Sequence, residues 1–307
     1  KIALINIDDV SSPTVGSSAK LTMPTVPSNT TRGYAAETFT ANDDHYVAVS
    51  TIRQSYWVGA TTEERLMPYS IQIFRIDNPD GNHADGSLVK VFEDYYDGSG
   101  GSSDPNYHFY DVYKIDSYYV NENPYLVLSS RSPSSMGIYN VTDPSSPVRT
   151  DYVSSAGIQD TTIYTDDGNT YALTSNGQSS YPLRLFDITS PSSIQTHDII
   201  SGSGYYSRAN DVFDFDDKKL AAFISSTTWD SISLADVSNP DDISVIDKMT
   251  KGQHAQIDRN IVIEVFESGS SHYALVGTTD STTSENQGRV RGAQLFEITN
   301  DADQIRI

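Results

Sequence analysis

Apolar residues in this chain come in short runs bounded by Asp, Asn, Gly, Ser and Pro. Nowhere do they recur at helical spacing over three or more turns, so the pattern predicts strands throughout. Many runs come in pairs around a tight polar turn: AAETFTANDDHYVAVST, DVYKIDSYYVNENPYLVLSS, TTIYTDDGNTYALTSN, DVFDFDDKKLAAFISS and IVIEVFESGSSHYALVGT. Turns rich in Asp, Asn, Gly and Ser are what close hairpins require.

After each pair comes one recurring phrase, also found alone at the start. Its copies are IALINIDDVSSP, SIQIFRIDNP, MGIYNVTDPSSP, LRLFDITSPSS, ISLADVSNPDD and AQLFEITNDAD. The central polar residues are Asn6, Arg75, Asn140, Asp187, Asp236 and Glu297, spaced by 69, 65, 47, 49 and 61 residues. That is one supersecondary unit with variable loops. A further short segment follows each phrase, so a unit is four strands in hairpin succession. One such meander cannot bury both faces, whereas sheets packed radially cover one another and leave short edges. The pattern predicts an all-β chain, a β-propeller of four-stranded antiparallel blades. Five units are complete and residues 1–21 form an N-terminal half blade, six blades if completed. The expected units within a single 1–307 domain are about 1–21, 32–94, 108–154, 158–201, 208–250 and 256–307. The phrase supplies strand three and the corner after it, because Pro cannot donate to a ladder.

These phrases resemble the LVIVD-repeat family, whose consensus carries a similar apolar–IVDVSDPxxP stretch after a hydrophobic hairpin. The resemblance covers nearly the whole chain and implies a propeller of the cell surface or exterior. It implies no chemistry. The unpaired half blade carries three expectations: a chain that continues beyond these ends, an extra layer on five blades, or strands supplied by a neighbouring copy. The last would give head-to-tail assembly into filaments.

Charge narrows the partners. Forty-one acidic residues against 20 basic ones give −21, which repels phosphate backbones and anionic membrane, so nucleic acid is excluded as an expected partner. No apolar run is long enough to span a membrane. There is no Cys, hence no disulfide, thiolate metal site or cysteine nucleophile. An acidic, Ser/Thr-rich, Lys-poor composition suits an extracellular or cell-surface setting. The chain begins at Lys1 without a signal peptide, consistent with upstream processing or with a piece of a longer protein. The sequons at Asn29 and Asn140 are candidate glycosylation sites.

Candidate site residues lie ahead of successive first strands, where a propeller's channel opens: Arg32, Tyr34, Tyr107, His108, Gln159, Arg208, Asn210, His254 and Gln256. They suit an anionic or sugar ligand, or else hydrogen-bond one another. Asp111, Asp160 and Asp211 read as one repeated position that accepts backbone N–H groups where loop meets strand. Asp77, Asp80, Asn82 and Asp85 form an oxygen-rich loop able to wrap a calcium ion, and Asp94, Asp97 and Asp104 form a weaker one. Tyr56, Trp57, Leu66, Met67 and Tyr69 sit on the longest loop, as partner anchors or packed back on their blade. HExxH, GxSxG, P-loop and dinucleotide fingerprints are all missing from the sequence. The expected function is a non-catalytic extracellular propeller serving interaction or assembly, with a protein partner or copies of itself. The alternatives are a secreted enzyme acting on polysaccharide or a small anionic substrate, and a calcium- or glycan-binding adhesin module.

Overall fold

The computed structural model describes residues 2–6, 14–19, 32–52, 55–57, 64–66, 69–77, 87–96, 111–131, 134–154, 157–177, 181–201, 206–225, 231–250, 260–279, 290–301 and 304–306. Every regular element among them is a β-strand. Two compact units, Lys1–Ser154 and Ser155–Ile307, divide the chain at a blade boundary.

In the first unit, β1 (Ile2–Asn6) and β2 (Thr14–Ala19) form a two-stranded sheet, the half blade. The next sheet runs β3 (Arg32–Ala41), β4 (Asp44–Ile52), β7 (Tyr69–Asp77), β8 (Ser87–Tyr96). The long segment after β4, expected as a loop, carries a small ribbon, β5 (Ser55–Trp57) with β6 (Glu64–Leu66). A second sheet follows: β9 (Val112–Val120), β10 (Asn123–Arg131), β11 (Ser134–Asn140) and β12 (Val148–Ser154). The second unit holds three sheets. They are β13 (Ile158–Asp166) to β14 (Asn169–Asn176), β15 (Leu183–Asp187) and β16 (Gln195–Ile200); β17 (Ser207–Phe215) to β18 (Lys218–Ser225), β19 (Ser231–Asp236) and β20 (Ser244–Thr250); and β21 (Asn260–Ser268) to β22 (Ser271–Thr279), β23 (Val290–Asp301) and β24 (Gln304–Arg306). All five four-stranded sheets are antiparallel meanders in chain order.

The first hairpin of each sheet turns in two residues, as the sequence demanded. Asn42-Asp43, Asn121-Glu122 and Asp167-Gly168 have positive φ at both positions, the type I′ geometry that matches strand twist. Behind four of these turns an aromatic pair lies directly across the strands: Phe39–Tyr46, Tyr118–Tyr125, Tyr164–Tyr171 and Phe266–Tyr273, at 5.3–5.8 Å between ring centroids. Such cross-strand pairs fix register.

The recurring phrase is the corner after strand three, and its polar residues explain the repeat. Oδ1 of Asn140, Asp187 and Asp236 accepts the backbone N–H two residues on, from Thr142, Thr189 and Ser238, at 2.9, 2.8 and 3.0 Å. The hydroxyls of Thr189 and Ser238 then accept the N–H of Thr170 and Lys219, both at 2.9 Å, tying the corner to strand two. Between them, buried Val141, Ile188 and Val237 extend the ladder through bonds to Pro124, Thr170 and Lys219. In the first sheet the pattern is inverted, and the Arg75 side chain donates to both carboxylate oxygens of Asp77.

The second strands β4, β10, β14 and β18 are buried on both faces. On β18, Leu220, Ala222 and Ile224 join the cluster with β21–β23, while Ala221 and Phe223 join the one with β13–β15. Alternate residues of one strand thus serve two neighbouring sheets, which is why LAAFIS reads as an unbroken apolar run. Each fully buried Ile, Leu or Phe here contributes roughly 1.5–3 kcal/mol. In the first unit, Phe39, Ala48 and Ile73 pack against Ile115, Leu126 and Leu128, while Val47, Val49 and Phe74 form a separate cluster.

Acidic side chains latch adjacent first strands. Asp160 accepts Thr161 N–H at 3.0 Å and, across the sheet boundary, Asn210 N–H at 3.1 Å. Asp211 accepts Val212 N–H at 2.9 Å and Val265 N–H at 2.7 Å. Asp160 and Asp211 accept backbone N–H groups as expected, but the equivalence does not extend to Asp111. Counted from the hairpin turn they stand at three different registers, and Asp111, at φ +55° before β9, pairs with Arg131 instead. A β-bulge in each first strand shifts the count, so loop-to-strand spacing in the sequence misaligns them.

Candidate functional site

The bulge that upsets the alignment also builds the site. Ladder register slips between Gly33 and Ala36, Val112 and Lys114, Ile158 and Asp160, Ser207 and Asn210, and Asn260 and Val262. Bulges re-aim side chains out of the alternating pleat and cluster beside functional sites. Eight residues before the turn, at or beside the bulge, stand Tyr34, Tyr113, Gln159 and Arg208. Three of these were expected from sequence. Tyr113 was missed because His108, five residues earlier, was taken as its blade's counterpart.

In the first unit this position forms a cluster. Tyr34 is exposed, and its ring centroid lies 4.4 Å from that of Tyr113 at a tilt of 56°. The Arg131 guanidinium, at the end of β10, sits 4.6 Å over the Tyr113 ring. Its Nε donates to Asp111 Oδ2 at 3.1 Å, and its backbone N–H to Asp111 O at 3.1 Å. Arg131 remains half exposed while the Asp111 carboxylate is buried. Burial raises the Asp111 carboxyl above the ordinary range, and Arg131 offsets only part of that. Burial likewise raises the Tyr113 hydroxyl, with Tyr34 and Asp111 adding to the effect. Beneath the cluster, Ser50 ties three strands together: its hydroxyl accepts Ala35 N–H at 3.0 Å and donates to Val112 O at 3.1 Å. The result is an exposed Tyr34 ring against Tyr113, a guanidinium over the Tyr113 ring, and a buried carboxylate anchoring that guanidinium.

In the second unit, small polar side chains link adjacent sheets near this position. Asn210, expected as a ligand group, is buried: Nδ2 donates to Ser175 Oγ at 2.9 Å, and Ser175 bonds Ser207 at 2.8 Å. It is a structural amide that joins two sheets. Gln159 is half-buried with its side chain against Gly177, where an added Cβ would come within 2.7 Å of Nε2. Arg208 is half-buried on β17.

Arg32 is placed as the first residue of β3, opposite Ile52. Tyr107, His108, His254, Gln256, Asn29, Asp80, Asn82, Asp85, Asp97, Asp104 and Met67 lie outside the described residues, as do the side chains of Tyr56, Trp57, Leu66 and Tyr69. Of the candidate calcium loop only Asp77 is described, and Arg75 occupies its carboxylate. Among the described residues, no three His, Asp or Glu side chains converge as metal ligands. Asn140, the described sequon residue, has its amide engaged in the corner, Oδ1 to Thr142 N–H and Nδ2 to the Tyr125 hydroxyl at 3.4 Å. No helix among the described residues is long and apolar enough to cross a membrane.

No protein-family model and no curated protein sequence matches this chain. Among solved structures, it is similar to the major allergen Mala s 1 of Malassezia sympodialis, with TM-score 0.52 and 9% identity over 88% of this chain and 78% of that one. Two other similar structures have TM-scores below 0.5. One is an α-L-arabinofuranosidase from Clostridium thermocellum (0.43; 14% identity over 88% of this chain and 91% of that one). The other is an arabinoxylan arabinofuranohydrolase of glycoside hydrolase family 43 from Bacillus subtilis, solved with cellotetraose (0.46; 11% identity over 89% and 65%). At these identities the likeness concerns the fold: the chain is an all-β protein of the β-propeller class, built of four-stranded antiparallel blades.

Proposed function

We propose that this propeller recognises a polysaccharide at the cell exterior, through the bulge-borne cluster of Tyr34, Tyr113, Arg131 and Asp111. The observation that carries the reading is the repeated bulge placing two tyrosines side by side, with a half-exposed guanidinium against one of them. An aromatic face takes up the C–H face of a sugar ring, and a planar fork of N–H donors suits a pair of neighbouring hydroxyls. The Asp111 pair holds that fork in place before any ligand arrives, which lowers the ordering cost of binding. A net charge of −21 favours neutral glycans over polyanions.

The test is a glycan array probed with the whole chain, followed by titration calorimetry with Tyr34→Ala and Arg131→Ala. Retention of a defined glycan class, weakened about tenfold or more by either variant, is expected. Retention unaffected by both variants, or none on any glycan, overturns the reading.

Hydrolysis of the same polysaccharide is the second reading, favoured by one observation: burial raises the Asp111 carboxyl, as a general acid requires. Release of new reducing ends, abolished in Asp111→Asn, supports it. Binding without release rejects it.

A further inference from the structure

A cavity of about 310 Å³ opens between two sheets of the second unit. That volume is at the lower end of small-molecule sites. Its floor is one row across the sheet β17–β20: Phe223, Ser233 and Lys248 are successive register partners on β18, β19 and β20. Side chains directly opposite one another project from the same face, and all three line the cavity, with Ser225 and Val245 beside them. Pro182, Ile200 and Ser201 of the neighbouring sheet form the facing wall. Four of the eight lining residues are therefore apolar or aromatic, three are serines, and Lys248 is the one charged residue lining it among the described residues.

The serine hydroxyls carry the second observation. Ser225 Oγ lies 3.2 Å from Ser231 Oγ and 2.7 Å from Ser233 Oγ, and all three residues are buried. Each hydroxyl owns one proton, so three protons serve two contacts. Run from Ser231 to Ser225 to Ser233, the direction that an acceptor in the cavity would select, the chain leaves its last proton on Ser233, the end that lines the cavity. A buried donor is costly without a partner. A spare O–H beside an ammonium on the next strand is complementary to a carboxylate, since charge-assisted bonds from both are short and strong.

We infer that this inter-blade cavity is a binding site for a small amphipathic carboxylate. Its acid group meets Ser233 and Lys248, and its apolar body lies among Phe223, Ile200, Pro182 and Val245. The site is separate from the glycan reading and survives its failure. The net charge of −21 opposes anion entry at long range, and ions at physiological strength screen that opposition within ~8 Å.

The test uses benzoate and its uncharged analogue benzyl alcohol, titrated against the whole chain by calorimetry and ligand-observed NMR. Benzoate is expected to bind and benzyl alcohol to bind about tenfold more weakly, the equivalent of one lost charged partner. This comparison needs no mutation, so it stands even where a variant misfolds. Ser233→Ala and Lys248→Met should each weaken benzoate with little effect on benzyl alcohol. Equal binding of the two probes, benzoate affinity unchanged in both variants, or no benzoate binding up to about 10 mM overturns the inference.

Discussion

Two tyrosine hydroxyls offer an internal experiment that the repeat itself designed. The third residue before each first-hairpin turn is aromatic in all five sheets: Phe39, Tyr118, Tyr164, Phe213 and Phe266. Where it is Tyr, the hydroxyl is buried without a hydrogen-bond partner. Burial pushes both hydroxyls well above their ordinary pKa, with the facing Tyr125 and Tyr171 adding a little. The rings themselves are well placed, 5.5 and 5.4 Å from their cross-strand partners. A buried polar group left unpaired costs about 1–3 kcal/mol, while the apolar replacement of the same shape is neutral or better. Tyr118→Phe and Tyr164→Phe should therefore each stabilise by about 1 kcal/mol. Because the two lie in separate compact units, the double variant should gain about 2 kcal/mol, additive within ~0.5 kcal/mol. Urea unfolding followed by circular dichroism reads this directly, as a raised midpoint at unchanged slope. Tyr46→Phe is the control: that hydroxyl bonds Asp44, so its removal should destabilise. Loss of stability in both Tyr118→Phe and Tyr164→Phe would refute the reasoning.

Asp-to-Asn substitution should separate the corners from the latches. Asp236→Asn keeps the acceptor for Ser238 N–H and loses only the half-exposed Lys218 pair, for a cost under about 1 kcal/mol, whereas Asp236→Ala costs about 2 kcal/mol. At Asp211 both oxygens accept N–H groups, so Asn turns a donor onto a donor and should destabilise nearly as much as Ala; chemical denaturation of the four variants checks the order. At Asp236, burial opposes ionisation but the bonds from Lys218 and Ser238 prevail, holding its carboxyl below the ordinary value. Its stabilisation is then present above the unfolded pKa of about 3.9 and lost as pH falls through the lower folded value; Asp236→Asn should flatten the acid limb of stability against pH. At the alkaline end, burial pushes Tyr139 up to about 12, with Arg149 pulling the other way. Its contribution is complete below the unfolded value of about 10 and disappears as pH rises through 12, by up to about 2–3 kcal/mol, so Tyr139→Phe should resist alkaline unfolding better than the parent chain.

The sheets could be read from sequence because most blades solve the same local problems with the same residue types. A two-residue turn needs Asn, Asp or Gly at positive φ, and a corner needs an acceptor two residues before a hydroxyl. Both requirements are local, so they print as a repeat. The site was only half legible. A bulge adds a residue without changing composition, so it hid Tyr113 and made Asp111 look equivalent to Asp160 and Asp211. Arg131 was missed because its importance comes from Asp111, twenty residues away and joined to it only by the β9–β10 hairpin. One signal was available: at the position ten residues after the turn's first residue, Arg131 stands where the other sheets have Ile52, Gly177, Ser226 and Thr279. The sequence marked Asp160 and Asp211 as N–H acceptors but gave no sign of their second partners, since those N–H groups belong to the next sheet.

The account rests on the recurring phrase being a closed corner that binds strand three back to strand two. Native-state hydrogen exchange at the amides of Val141, Ile188 and Val237 tests this most directly, because their only ladder partners are Pro124, Thr170 and Lys219. The account predicts that all three exchange as slowly as the buried amides of β10, β14 and β18. Exchange at the rate of the flanking turn residues would contradict it.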